Sequence, residues 1–201
     1  MELPSFFEKL HELFAKNGFE IYLVGGTSRD ILLDIPLRDF DLVTDATPEQ
    51  MKGFLDNADF TFARFGSVKL VFEGYKMDIT TFRQEDSYGD FRHPSKIVFI
   101  KDMEMDSSRR DFTINAIYID HNGKTYDFHN GLDDLKNGII RFIGDPRMRI
   151  SEDPLRILRA ERFAKRLGFS IDKESQEAID EMRGLLEKLN PEKIKMESKK
   201  G

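Results

Sequence analysis

Apolar residues return every fourth position between Pro4 and Asn17 (Phe6, Leu10, Phe14), which predicts an amphipathic helix. Ser5 and Glu8 have the spacing of a capping box, and Gly18 suits its stop. Ile21–Val24 then reads as a short buried strand, and Thr27–Leu33 as a helix that opens at the pair Gly25-Gly26. After Thr47-Pro48, an N-cap and first helical residue, Glu49–Leu55 reads as a short helix. Runs rich in β-branched and aromatic residues predict strands at Phe60–Ala63, Val68–Glu73 and Met77–Phe82, with Glu73–Lys76 turning between the last two. Gln84–Ser95 is polar, contains Gly89 and Pro94, and reads as a mobile loop before a strand at Ile97–Ile100. Strands at Tyr118–Asp120 and Thr125–Phe128 flank the turn His121–Lys124. A short helix at Leu132–Lys136 and a last strand at Ile139–Ile143 follow.

From Ser151 onward the pattern is helical. Asp153–Leu167 carries Ile157, Ala160, Ala164 and Leu167 on one face and Arg156, Arg159 and Arg166 on another, with Arg162 nearby. A second helix opens at Asp172, carries Ile179, Met182, Leu186 and Leu189, and is expected to end at Pro191. Lys193–Gly201 is charged and small, and a frayed end is expected there.

Composition narrows this picture without changing it. The chain has 201 residues, enough for one good core plus a helical appendage, and no apolar run long enough to span a membrane. Cysteine is absent, so no disulfide framework or thiolate metal site exists, and a cytoplasmic setting fits. The net charge of −6 argues against a surface coated for nucleic acid but leaves room for a local basic face.

The candidate chemistry begins at Leu23-Val-Gly-Gly-Thr-Ser-Arg-Asp30. A glycine turn feeding a helix lets backbone approach a ligand closely and offers N–H groups to a phosphate. Asp39 and Asp41 follow, and residues i and i+2 of a strand share a face. Two carboxylates that close call for a divalent cation. Asp78 is either a third member of that set or a solvated strand acid. Arg109-Arg110-Asp111 offers donors for phosphate oxygens and an acceptor for a sugar hydroxyl, and equally fits a charged cap on a helix near Asp111. Asp153 and Arg156, three apart at a helix start, pair an acceptor with donors. Cytosine and adenine present an amino donor beside a ring-nitrogen acceptor, so the pair suits them and mismatches uracil and guanine. The same spacing also serves as an ordinary helix cap. His11, His93, His121 and His129 have no ligand spacing to one another, and none is assigned to catalysis or metal.

Gly25-Gly26-x-x-Arg29-Asp30, Asp39-x-Asp41, Arg109-Arg110-Asp111-Phe-Thr-Ile-Asn115-Ala116 and Glu152-Asp153-x-x-Arg156 stand here in one order. Together they resemble the class II tRNA nucleotidyltransferase (CCA-adding enzyme) and bacterial poly(A) polymerase family, from about Phe19 to Phe169. The resemblance implies an α+β fold: a DNA polymerase beta-like nucleotidyltransferase head with a mixed sheet over 1–143 and an all-helical neck over 144–190, before a charged, disordered tail over 191–201. It implies an RNA nucleotidyltransferase that uses CTP and ATP on the 3′ end of tRNA or another RNA and has no membrane partner. Asp39, Asp41 and Asp78 would be catalytic and would bind two Mg²⁺ ions. The nucleotide-binding set would be Gly25, Gly26, Arg29, Arg109, Arg110, Asp111, Asn115, Asp153, Arg156 and Arg159, with the neck pair Asp153 and Arg156 selecting the base. Gln84–Ser95 matches the family's flexible loop in position. Ser28, Asp34 and Ser107 depart from the usual valine, glycine and leucine. Members continue past the neck into helical domains that hold tRNA, whereas this sequence stops at Gly201. The rival expectations are poly(A) synthesis, addition of CC or A alone, and a non-catalytic nucleotide-binding module.

Overall fold

The computed structural model describes residues 1–37, 39–90 and 93–199. Helix α1 (Phe7–Lys16) buries Phe7, Leu10 and Phe14. It starts later than the capping box predicts: Phe6 is the N-cap without a side-chain bond, and Ser5 Oγ lies 3.4 Å from the Tyr75 hydroxyl instead. Burial of the phenylalanines, rather than the cap, sets this helix. Strand β1 (Ile21–Leu23) leads straight into α2 (Gly25–Leu32), then β2 (Phe40–Thr44) and α3 (Pro48–Met51), where Thr47 and Gln50 form a capping box.

The strand expected at Phe60–Ala63 is not formed. The Asp59 carboxylate accepts from both the backbone N–H and the hydroxyl of Thr61, which turns the chain into a 3₁₀ turn at Ala63–Phe65. Strands β3 (Ser67–Phe72) and β4 (Tyr75–Thr81) follow, joined by Glu73 and Gly74, both left-handed at φ +50° and +84°. The polar stretch expected as a loop is a ribbon of β5 (Arg83–Asp90) and β6 (His93–Phe99), paired from Arg83–Phe99 outward. The two strands form a sheet of their own, apart from the six-stranded one, and Arg83–Asp90 carries no apolar alternation to mark it in the sequence. The Arg83 N–H donates to Asp106 and the Ile100 N–H to Phe82, and these bonds pin its base. Phe91 and Arg92, within the stretch expected as a loop, lie outside the described residues.

Helix α4 (Met103–Ser108) is capped by Asp102, whose carboxylate accepts from the Met105 N–H. Near Asp111 the chain makes only a 3₁₀ turn, Thr113–Asn115, before β7 (Ile117–Ile119), β8 (Thr125–Asp127), α5 (Gly131–Asn137) and β9 (Ile139–Ile140). A helix not anticipated from the pattern, α6 (Pro146–Glu152), carries Asp145 as its N-cap and Pro146 in its first turn. Helix α7 (Leu155–Leu167), β10 (Ser170–Ile171) and α8 (Lys173–Met182) come next, and a 3₁₀ turn at Arg183–Lys188 extends α8. Pro191 starts a helix rather than ending one. Behind N-cap Asn190 it opens α9 (Pro191–Ser198), which packs along α7 and buries Glu197 against Arg162 at 2.6 Å, so 191–198 is ordered where a disordered tail is expected.

The main sheet is mixed, in the order β3-β4-β2-β1-β7-β8, with β2 and β4 parallel and its other pairs antiparallel. One apolar core joins α1 to this sheet through Phe6, Phe14, Leu23, Leu42 and Ile79. A second core joins Phe112, Ile117 and Phe142 to Ile157, Phe163 and Ile179 of the helices, and the parallel pair β9–β10 runs beside it.

Candidate active site

The parallel pairing of β2 with β4 sets Asp41 opposite Asp78 and Phe40 opposite Met77. In-register neighbours on parallel strands, about 4.8 Å apart, project to the same side. Two carboxylates therefore stand together at the mouth of a cleft of about 770 Å³. Asp41 is held by backbone: its carbonyl accepts from the Val24 N–H and its N–H donates to Thr27 Oγ1 at 2.7 Å. A side chain at Gly25 or Gly26 would meet Asp41 Oδ2 at 3.3 or 3.4 Å, and Gly25 is left-handed at φ +64°. These glycines bring the start of α2 against the carboxylate, and the Gly26 N–H bonds to it. Although Asp41 keeps solvent access, desolvation by the cleft walls pushes its carboxyl above the ordinary range. Arg110 opposes that rise, and the Asp78 charge adds to it. Asp78 itself accepts from Ser67 Oγ.

Asp39 stands differently. Strand β2 begins at Phe40, so strand alternation does not govern Asp39, which lines a neighbouring groove of about 460 Å³ together with Asp41 and Asp78. The ligand atoms of Asp39, Asp41 and Asp78 do not all fall within 4.8 Å of one another.

Every other residue expected at the site lines the main cleft. Around it eight arginines face five carboxylates, a local basic excess in an acidic chain. Buried Asp106 organises part of this wall. It accepts from Arg109 at 3.0 Å, Arg110 at 3.2 Å and the Tyr118 hydroxyl at 2.7 Å. Burial alone would raise its carboxyl, but Arg109 and Arg110 hold it down to about 2. Arg29 is buried across from them, donating to Asp30 at 2.7 Å and Asn115 at 2.9 Å with its guanidinium 5.0 Å over the Phe163 ring. Asp111 pairs with Arg159 at 2.6 Å. Burial works against its charge, yet Arg159 and Arg156 keep its carboxyl below the ordinary value.

The wall opposite the sheet comes from the start of α7. Asp153 closes α6 and accepts from the Leu155 N–H at 3.1 Å. Arg156 donates to Glu152 at 2.7 Å and to the Arg149 carbonyl at 2.6 Å. Asp153 thus holds the first residue of α7, Arg156 ties that helix to the end of α6, and both line the cleft. Sequence reasoning missed Asp106, Asp30 and Glu152, the carboxylates that orient the arginines. Asp106 carried a local signal in its i, i+3 and i+4 spacing to Arg109 and Arg110. Asp30 bonds Arg166, 136 positions away, with no local signal.

A mixed sheet with paired carboxylates at the mouth of an arginine-lined cleft defines a nucleotidyltransferase head. Residues 21–141 match the family described as Poly A polymerase head domain, and the chain belongs to that family. It is 43% identical over 180 residues to the CCA-adding enzyme of Lactobacillus helveticus, covering 90% of this chain and 45% of that protein. It is 42% identical over 198 residues to the CCA-adding enzyme of Ligilactobacillus salivarius, covering 97% and 49%. The crystal structure of the Bacillus stearothermophilus CCA-adding enzyme in complex with CTP superposes with a TM-score of 0.88 at 33% identity, over 98% of this chain and 48% of that one. The chain thus spans about half the length of these relatives. No helix among the described residues is long and apolar enough to cross a membrane.

Proposed function

We propose that this chain is the catalytic and nucleotide-selecting portion of an enzyme that adds CMP and AMP from CTP and ATP to the 3′ end of tRNA. The observation that carries this reading is the Asp41–Asp78 pair in register at the mouth of an arginine-lined cleft whose far wall holds Asp153 and Arg156. The relatives named CCA-adding enzyme support it. In this reading residues 1–143 are the head, 144–190 the neck, and the protein acts in the cytoplasm, where its tRNA substrate is.

Asp39, Asp41 and Asp78 would hold the divalent cation, in our reading two Mg²⁺. The fit rests on two carboxylates set in register on β2 and β4, whose mutual repulsion adds to the larger cost of desolvation at Asp41, a cost that a dication relieves. When bound, the metal acidifies the attacking hydroxyl and neutralises charge building on the phosphates. The remaining work belongs to side chains of this chain. Arg109, Arg110 and Arg159 bind phosphate oxygens, with Arg29, Gly25 and Gly26 forming the floor of that site. Asp111 and Asn115 hold the ribose. Asp153 accepts from the exocyclic amino group of C or A, and Arg156 donates to the ring nitrogen beside it. The RNA 3′-oxygen attacks the α-phosphorus, its proton leaves, the bond to the β-phosphate oxygen breaks and pyrophosphate departs.

Binding of the four nucleoside triphosphates to this chain in Mg²⁺ tests the reading. CTP and ATP are expected to bind about 10-fold or more tighter than UTP and GTP, and the preference to vanish in Asp153→Ala. Equal binding of all four by the unaltered chain overturns the base-reading role. Extension of tRNA ends lacking CCA, CA or A then separates CCA addition from poly(A) synthesis.

A further inference from the structure

The geometry points to a second metal site, for a transition-metal dication of the zinc class, held by Glu8, His11 and His121. Glu8 and His11 lie three apart on α1, one turn on a single face, while Phe7, Leu10 and Phe14 take the buried face. His121 opens the turn between β7 and β8. That turn is rigid, because the Asp120 carboxylate accepts from the N–H groups of Asn122 and Lys124, both at 2.9 Å. The His11 and His121 rings stack with centroids 3.6 Å apart and planes at 11°. One ligand atom from each of the three residues falls within 4.8 Å of the other two, and theirs is the one such group among the described residues. None of the three lines the cleft or the groove beside it.

Two features set this cluster apart from an ordinary surface contact. His121 Nδ1 is buried without a hydrogen-bond partner, and Glu8 Oε2 at 3.6 Å is too far to satisfy it. Ligands at Zn²⁺ distances of about 2.0–2.2 Å in a tetrahedron sit about 3.4 Å from one another, so atoms that now lie within 4.8 Å must draw together and the two stacked imidazoles must turn until their in-plane lone pairs converge on the ion. The other ring nitrogen of His121 has its outer partner in place, the Asn122 amide at 3.0 Å. Turned end for end, that amide accepts from Nε2–H and leaves the Nδ1 lone pair facing Glu8. Two imidazoles and one carboxylate favour Zn²⁺, Ni²⁺ or Cu²⁺ over Mg²⁺ or Ca²⁺, and leave a fourth position for water. A bound ion would staple α1 to the β7–β8 turn, two segments 110 residues apart in sequence, which is why no spacing among the histidines announced it.

The test uses the 201-residue chain stripped of metal with a chelator, in an Asp41→Asn background so that the cleft carboxylates add no second zinc. Titration with ZnCl₂ is expected to show one tight site per chain and a rise in Tm that MgCl₂ does not reproduce. CoCl₂ is expected to give the visible absorption of a low-coordinate nitrogen and oxygen site. His11→Ala, His121→Ala and the exposed, shape-conserving Glu8→Gln should each weaken zinc binding by about 10-fold or more. Far-UV circular dichroism of the metal-free variants establishes that they are folded. Absence of zinc stabilisation in the parent overturns the proposal, as does zinc affinity unchanged in folded Glu8→Gln and in both histidine variants.

Discussion

The role proposed for Asp41 comes at the expense of stability. Its carboxyl is pushed up by desolvation and by Asp78, so at neutral pH its charge is disfavoured in the folded chain relative to the unfolded one. Asp41→Asn is therefore expected to raise Tm slightly while lowering nucleotide incorporation by about 10³-fold or more, measured by thermal melts and single-turnover assays of the full-length protein. Asp106 has the opposite sign. Its carboxyl lies near 2 in the folded chain, below the ordinary 3.8, so the stability it lends is complete above that ordinary value and is lost as pH falls toward 2. That contribution is roughly 2 kcal/mol, and urea midpoints from pH 6 down to pH 3 should show it in the parent but not in Asp106→Asn. At neutral pH, Asp106→Asn leaves buried Arg110 without its counter-charge and is expected to cost about 3–5 kcal/mol.

Elements meet closely where glycine allows it. A Cβ at Gly131, the first residue of α5, would sit 2.3 Å from the Thr113 carbonyl oxygen, a backbone atom that cannot swing away. Gly131→Ala is expected to cost about 3 kcal/mol or more, read from denaturant midpoints, because α5 must move off the 3₁₀ turn that carries Asn115. Gly74→Ala in the β3–β4 turn meets nothing within 4 Å and should cost only its left-handed backbone, about 1–2 kcal/mol. At this scale the pattern of apolar and polar positions worked where helices and strands bury one face, as in α1, β4 and α7. It failed for β5 and β6, which stand apart from the six-stranded sheet and, over Arg83–Asp90, show no apolar alternation. Capping signals at Asp102 and Asp145-Pro146 were present for α4 and α6, but those helices are short and carry little periodicity.

The sheet and the helices that follow it share one core. Phe112, Ile117 and Phe142 pack with Ile157, Phe163 and Ile179, and β9 pairs with β10 across the same junction. The chain should therefore unfold in one calorimetric transition, and Ile157→Ala should lower that whole transition by about 2–5 kcal/mol rather than split it. A fragment ending at residue 143 would expose Phe112 and Phe142 and is expected to bind a hydrophobic dye without melting cooperatively. The shared core also fixes the cleft, since Asp41 and Asp78 stand on one wall and Asp153 and Arg156 on the other. An acidic chain with a basic cleft directs anionic ligands to that site.

Read alone, the sequence determined the residue types and part of the local geometry: glycines where a helix start approaches Asp41, the Thr47-Pro48 start of α3, the one-faced strands β3 and β4, and the ordered motifs that resemble one family. Those features depend on neighbours within a few positions, where steric limits and side-chain bonding decide conformation. Only the tertiary structure decided that β2 and β4 pair in parallel and in register, setting Asp41 beside Asp78, and that Asp39 lies just outside that ladder. It likewise decided that Asp106 gathers two arginines under the cleft wall, that α9 covers Arg162 with Glu197, and that His11 meets His121. Each of these depends on which distant segments share a buried face, and that is settled by the total apolar surface the fold removes from water, a quantity no local spacing contains.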